Sequence, residues 1–214
     1  MSLTDTAAVV PSDAGPDTAC TPSEVDSRST YVSFGLAYVL GHGSAALSKG
    51  DTPLLDLPGW LPMTLLGAGL ATGTVLATRA ALRAQSTATD PDEILSGKLL
   101  GAAWITGFAA LFLAITGLAA AVDTPDVQTL LWPTGSGLIV GLIYVAEGAA
   151  RRNPLHYALG TWLALTSTGA LLLGDPAFYW VLTLAGGGAY ALAALLERRR
   201  LAPNPNAVSL RARM

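Results

Sequence analysis

Four residues in this chain carry chemistry that an apolar setting makes costly: His42, Glu147, Arg151 and His156. Glu147 and Arg151 stand four apart, the spacing that places two side chains on one helix face, so their charges form an i,i+4 ion pair. That pair supports two readings. In the simpler one both head groups lie within about one turn of a membrane edge and snorkel toward water, which makes Glu147 an anchor. In the other Glu147 is a proton or cation site at the mouth of a pathway, because carboxylates inside membranes are expensive and seldom incidental. His156 is then the nearest titratable partner on the same side. His42, in "AYVLGHGSAAL", has no second ligand at i+3 or i+4 and cannot make a metal site alone. It reads as a neutral imidazole bonded to a neighbouring helix, in the opposite half of the membrane from Glu147. The glycines beside it, Gly41 and Gly43, point to close helix packing there.

Other chemistries find no residues to carry them. The chain has a single cysteine, Cys20, no glycine-rich phosphate loop, no His-Glu-x-x-His and no Gly-x-Ser-x-Gly, so no catalytic residue, cofactor or metal is expected and the protein is not read as an enzyme. A net charge of −3 is too small and too dispersed for nucleic-acid binding.

The elements that hold these residues follow from composition. A chain of 214 residues that is 51% hydrophobic and only 13% charged lies outside the soluble range, where about a quarter of residues are charged. It is expected to be an all-α polytopic membrane bundle in contact with lipid. Runs of about 20 apolar residues cross a hydrocarbon layer about 30 Å thick. Six such runs occur: 31–48, 60–82, 97–122, 130–150, 155–174 and 178–196. Eleven of the twelve basic residues fall on one side of them and only Lys49 on the other, which puts both termini in the cytoplasm. The expected domains are an acidic cytoplasmic tail over residues 1–30, the six-helix region over 31–200 and a short cytoplasmic tail over 201–214. Trp60 to Arg79 and Trp132 to Arg151 each span 19 residues, with an indole at one interface and a guanidinium at the other. All thirteen prolines are placed in tails, loops or first helical turns, so the helices are expected to be continuous, with a bend allowed at Gly186–Gly188.

Between the second and third runs lies "TDPDEILSGK". Asp90 reads as an N-cap, Pro91 as N1 and Glu93 as N3, so a helix begins in water there. With Asp92, these residues are the internal place where a soluble partner finds purchase. Small residues four apart, Gly69 and Gly73, Gly97 and Gly101, Gly137 and Gly141, are read as packing contacts within the bundle rather than as a dimer face. Thr166, Ser167 and Thr168 are expected to return hydrogen bonds to carbonyls one turn back.

The stretches "FGLAYVLGHGSAALS", "LDLPGWLPMTLLGAGLATGT", "LWPTGSGLIVGLIYVAEGAARRNPLHYALGTW" and "LAGGGAYALAAL" resemble small six-span bacterial membrane proteins commonly labelled ABC transporter permease. The likeness runs from about Tyr31 to Leu201 and leaves out both tails. It implies a transport subunit working with a separate ATPase in trans, and a paired arrangement of two copies. The importer-type signature that begins Glu-Ala-Ala has glycine at its seventh place, where "EGAARRN" has Asn153, and no site residue is carried over. A non-transporting membrane scaffold or sensor is the alternative expectation, and a proton-coupled carrier using Glu147 and His156 a third.

Overall fold

The computed structural model describes residues 26–124 and 127–201. Most of the expected N-terminal tail, Cys20 and the tail beyond residue 201 lie outside the described residues. Within them the chain is helical, with no strand, and forms six rods. We number them α1 (residues 28–48), α2 (Leu61–Thr87), α3 (Pro91–Ala121), α4 (Val127–Ala150), α5 (Pro154–Ala170) and α6 (Ala177–Arg200). Each falls on one of the six expected runs, though α5 ends at Ala170, four residues before the end of the run expected there.

Four of the rods, α2, α3, α4 and α6, are long and apolar enough to cross a membrane, and the protein is a helical membrane protein. The α5 helix has 17 residues, roughly 26 Å at 1.5 Å per residue. Together α1, α5 and α6 form the middle of the bundle, where Tyr31 and Leu163 are fully enclosed and Phe178, Leu182 and Tyr190 nearly so. On one flank α2 lies on α1, and on the other α3 lies on α4. Although α2 and α3 are consecutive, they touch little, and most of their surface is left for lipid.

Helix starts follow local chemistry. The Asp90 carboxylate accepts the amide of Asp92 at 3.0 Å ahead of Pro91, and Asn153 Oδ1 accepts the amide of His156 at 3.1 Å ahead of Pro154. Each satisfies an amide that the first turn leaves without an intrahelical partner. Asp90→Ala is expected to cost about 1 kcal/mol and to fray the first turn of α3. Faster hydrogen exchange confined to residues 91–95 would show it.

Two expectations about backbone regularity need correction. Pro133 lies inside α4, in its second turn, because that helix begins at Val127 rather than Leu130. Its ring nitrogen cannot donate to the Thr129 carbonyl, while next to it the Thr134 hydroxyl donates to the Leu130 carbonyl at 2.7 Å. The two central helices are also not uniformly α. Tyr38–His42 in α1 and Leu182–Gly187 in α6 are π-helical, and these segments pack against each other. A π turn inserts an extra residue and swings the following side chains around the axis. The bend expected at Gly186–Gly188 thus appears as a π segment that includes Gly186 and Gly187.

Glycine packing holds for two of the three pairs. Gly69 and Gly73 of α2 bring that helix against Ala37 and Phe34, and Gly137 and Gly141 bring α4 against α5. Gly97 instead meets the Gln85 side chain across the α2–α3 hairpin, and Gly101 faces open space.

Candidate functional site

The last turns of α4 carry Tyr144, Glu147 and Gly148, and the chain then reverses within Arg151–Asn153. Arg152 takes a left-handed conformation, φ 52°, and the Asn153 amide returns to the Gly148 carbonyl at 2.8 Å, closing the helix end. Gly148 lets the Tyr157 backbone approach: a Cβ there would stand 2.5 Å from the Tyr157 nitrogen. The reversal therefore lays the first turn of α5 on the last turn of α4, with His156 over Glu147.

Glu147 is held from two sides. Arg151 Nε lies 3.0 Å from Oε1 and His156 Nε2 lies 3.3 Å from Oε2. The first contact is the ion pair expected from the i,i+4 spacing. The second brings in the histidine named from the sequence, though Nε2 sits out of alignment for a hydrogen bond. The other ring nitrogen, Nδ1, shares a 2.6 Å hydrogen bond with the Tyr31 hydroxyl of α1. Tyr144 lies over the imidazole with ring centroids 4.1 Å apart. The Glu147 side chain is 19% exposed and that of His156 9%, so the pair faces the bundle interior while Arg151 sits nearer its edge. A neutral His156 uses one N–H and one lone pair. As imidazolium it donates from both nitrogens, toward Glu147 on one side and Tyr31 on the other. The arrangement can thus take up a proton without leaving the new charge unpaired.

A second buried carboxylate was not read from the sequence as a functional residue. Glu197 of α6 is fully enclosed and is bound by Arg200 through two contacts of 2.8 Å, Nε to Oε2 and Nη2 to Oε1. The Ser27 amide points to Glu197 Oε1 at 3.5 Å, so the carboxylate also faces the N-terminus of α1, where negative charge is favoured. Nothing within the run "LERRR" itself marks its carboxylate as enclosed. Its useful signal was the stacking of Tyr190, Ala193 and Glu197 on one face at spacings of three and four, all three of them buried.

The other named residues lie elsewhere. Asp90, Asp92 and Glu93 are at the tip of the α2–α3 hairpin, with Asp92 exposed. His42 is in the π segment of α1, 3% exposed, edge-on to Tyr38 at 5.0 Å and tilted over Tyr179 of α6 at 6.2 Å. The neighbouring helix was expected, and the contact found there is a ring. Thr166 and Thr168 return their hydroxyls to carbonyls one turn back, each at 2.7 Å. Ser167 between them does not: its Oγ is fully buried with no partner in hydrogen-bond geometry among the described residues.

Fold and site together define a helical membrane protein with charged and titratable groups inside its bundle. No family model, no curated protein and no solved structure matches the chain.

Proposed function

We propose that this chain is a permease-like subunit of a transporter in a bacterial plasma membrane, crossing it six times with both termini in the cytoplasm, and that Glu147 and His156 form its proton-binding site. The observation that carries this reading is the row Arg151–Glu147–His156–Tyr31, which runs from a partly exposed arginine to a buried tyrosine on contacts of 3.0, 3.3 and 2.6 Å. An anchor needs only the arginine and the carboxylate. The added imidazole and phenol place a titratable group next to a charge in the interior, an arrangement that proton-handling membrane proteins use.

The separate ATPase of this reading docks on the α2–α3 hairpin. The 31 residues of α3 extend roughly 46 Å, against a hydrocarbon layer of about 30 Å, and its polar, capped start stands outside. Purification from native membranes in mild detergent would recover such an ATPase in stoichiometric amount. A second reading, a membrane scaffold or homo-oligomer, is favoured by how little of α2 and α3 the rest of the chain covers. Recovery of one species containing only this chain would support it.

The proton site is tested in liposomes holding this protein alone. Glu147→Gln keeps the volume and removes the charge. It is expected to lower proton flux at least tenfold in a variant whose melting temperature stays close to that of the parent. Unchanged flux would return Glu147 to the role of anchor.

A further inference from the structure

Between the start of α1 and the second half of α2 lies an open groove of about 590 Å³. Small-molecule sites occupy about 300–1,000 Å³, so the groove has room for part of a ligand of that size. Its two ends differ in chemistry. Asp26 and Arg28 stand at one, and Val32 and Leu36 of α1 face Thr72 and Leu76 of α2 along the rest. Helical spacing explains the division, because Arg28, Val32 and Leu36 are four apart and form one row on α1. The hydroxyls within the apolar part are already used: Thr72 donates to the Ala68 carbonyl at 2.8 Å and Ser33 to the Gly69 carbonyl at 3.3 Å. Val32 and Leu36 are half exposed, so an apolar channel eight residues long, roughly 12 Å, opens sideways below a charged mouth.

The register of the two helices sets what lies level with Arg28. They run antiparallel, with Gly41 against Leu66, Ala37 against Gly69 and Phe34 against Gly73. Continued by the same steps, this register brings Arg79 level with Arg28. Arg79 is exposed and falls on the Thr72–Leu76 row of α2, three residues past Leu76. Two arginines thus flank the mouth of the groove. Asp26 takes one edge of the Arg28 guanidinium, with Nε at 3.0 Å and Nη2 at 2.6 Å. Nη1 is left with no acceptor among the described residues, and the two side chains are each 47% exposed. The mouth therefore offers donors for an anion beside an acceptor for a cation.

We propose that this groove binds a phospholipid with an ethanolamine headgroup. The phosphate is held by Arg28 and Arg79, the ammonium donates to Asp26, and one acyl chain lies along Val32, Leu36 and Leu76. A headgroup with a phosphate alone suits the arginines but meets Asp26 as a like charge. A choline headgroup carries the second charge but has no N–H to give the carboxylate. Ethanolamine matches all three residues. The site lies in the cytoplasmic leaflet in the orientation proposed above, and it does not depend on the Glu147–His156 pair.

Native mass spectrometry of the full chain in mild detergent, with ethanolamine, choline and glycerol phospholipids of the same acyl chains added in turn, tests the site. One ethanolamine lipid per chain is expected to be retained at least fivefold more tightly than either of the others. Asp26→Asn is expected to erase the preference over choline. Arg28→Gln and Arg79→Gln should each weaken retention of the ethanolamine lipid at least threefold, and Leu36→Trp should do so by filling the groove with the charges in place. Arg198→Gln in the last turn of α6 should retain the lipid as the parent does, and so should Glu147→Gln, which separates this site from the proton site. All but Glu147 are exposed positions, and unchanged melting temperatures would show that the fold is kept. Equal retention of the three lipids would mean a coat of surrounding lipid only and overturns the site. Preference for the glycerol lipid, or an unaltered preference for ethanolamine in Asp26→Asn, overturns it as well.

Discussion

Gly141→Leu is expected to prevent α4 and α5 from docking. A Cβ at this position would stand 2.5 Å from the Ala164 nitrogen and 2.6 Å from the Gly160 carbonyl oxygen. Both atoms belong to backbone and cannot turn aside as a side-chain end would. Across the same contact a Cβ on Gly160 would meet the Gly141 oxygen and the Val145 nitrogen at 2.6 Å, so the two glycines let the helix backbones touch from either side. Extra methylenes in a packed core cost about 1–3 kcal/mol where side chains can adjust. Gly141→Ala should reach the upper end of that range and Gly141→Leu should exceed it. Separating α4 from α5 also separates Glu147 from His156, so the candidate site is lost with the fold. The expected observation is loss of a monodisperse peak for the leucine variant and a lowered denaturation midpoint for the alanine variant. Gly101→Leu and Gly117→Leu are the contrast: both positions face open space, and each should change stability by no more than about 0.5 kcal/mol.

Arg200→Met is expected to destabilise the fold by about 3–5 kcal/mol, the usual effect of leaving one charge of a buried pair behind. Glu197 is the enclosed member and Arg200, 26% exposed at its side chain, the partly solvated one, so the penalty falls when the arginine is removed. Glu197→Gln alone costs less, because Arg200 can turn to water. The double variant Glu197→Gln/Arg200→Met should therefore be more stable than Arg200→Met, an interaction that a thermodynamic cycle reads directly. Equal stability of the single and double variants would mean that the pair contributes only surface charge. Since Ser27 points its amide at Glu197, the same change should loosen the start of α1 and, through Tyr31, the hydrogen bond to His156.

The helices were legible in the sequence because the hydrocarbon layer imposes a length on every apolar run, and because prolines and capping residues mark where the runs begin. Asp90 shows this: it sits one residue before a proline and caps the helix that follows. The Glu147–Arg151 pair was legible for a similar reason, since residues four apart on a helix must lie together whatever surrounds them. The helix start of α4 was less clear, and Pro133 was placed a turn too early, because a polar first turn carries no hydropathy signal.

What the sequence by itself determined is thus local: a helical membrane protein, six helical segments with their approximate ends, and the Glu147–Arg151 pair. Only the tertiary structure decided which segments lie at the centre and which at the flanks. It also set Tyr31 on His156, 125 residues apart, and enclosed Glu197 against Arg200 and the start of α1. Tyr38 and His42 meet Tyr190 and Tyr179 of α6 from a π segment, whose extra residue rotates them relative to a regular α-helix. No regular periodicity records that rotation, because it arises from packing between helices and not from the preferences of either helix alone.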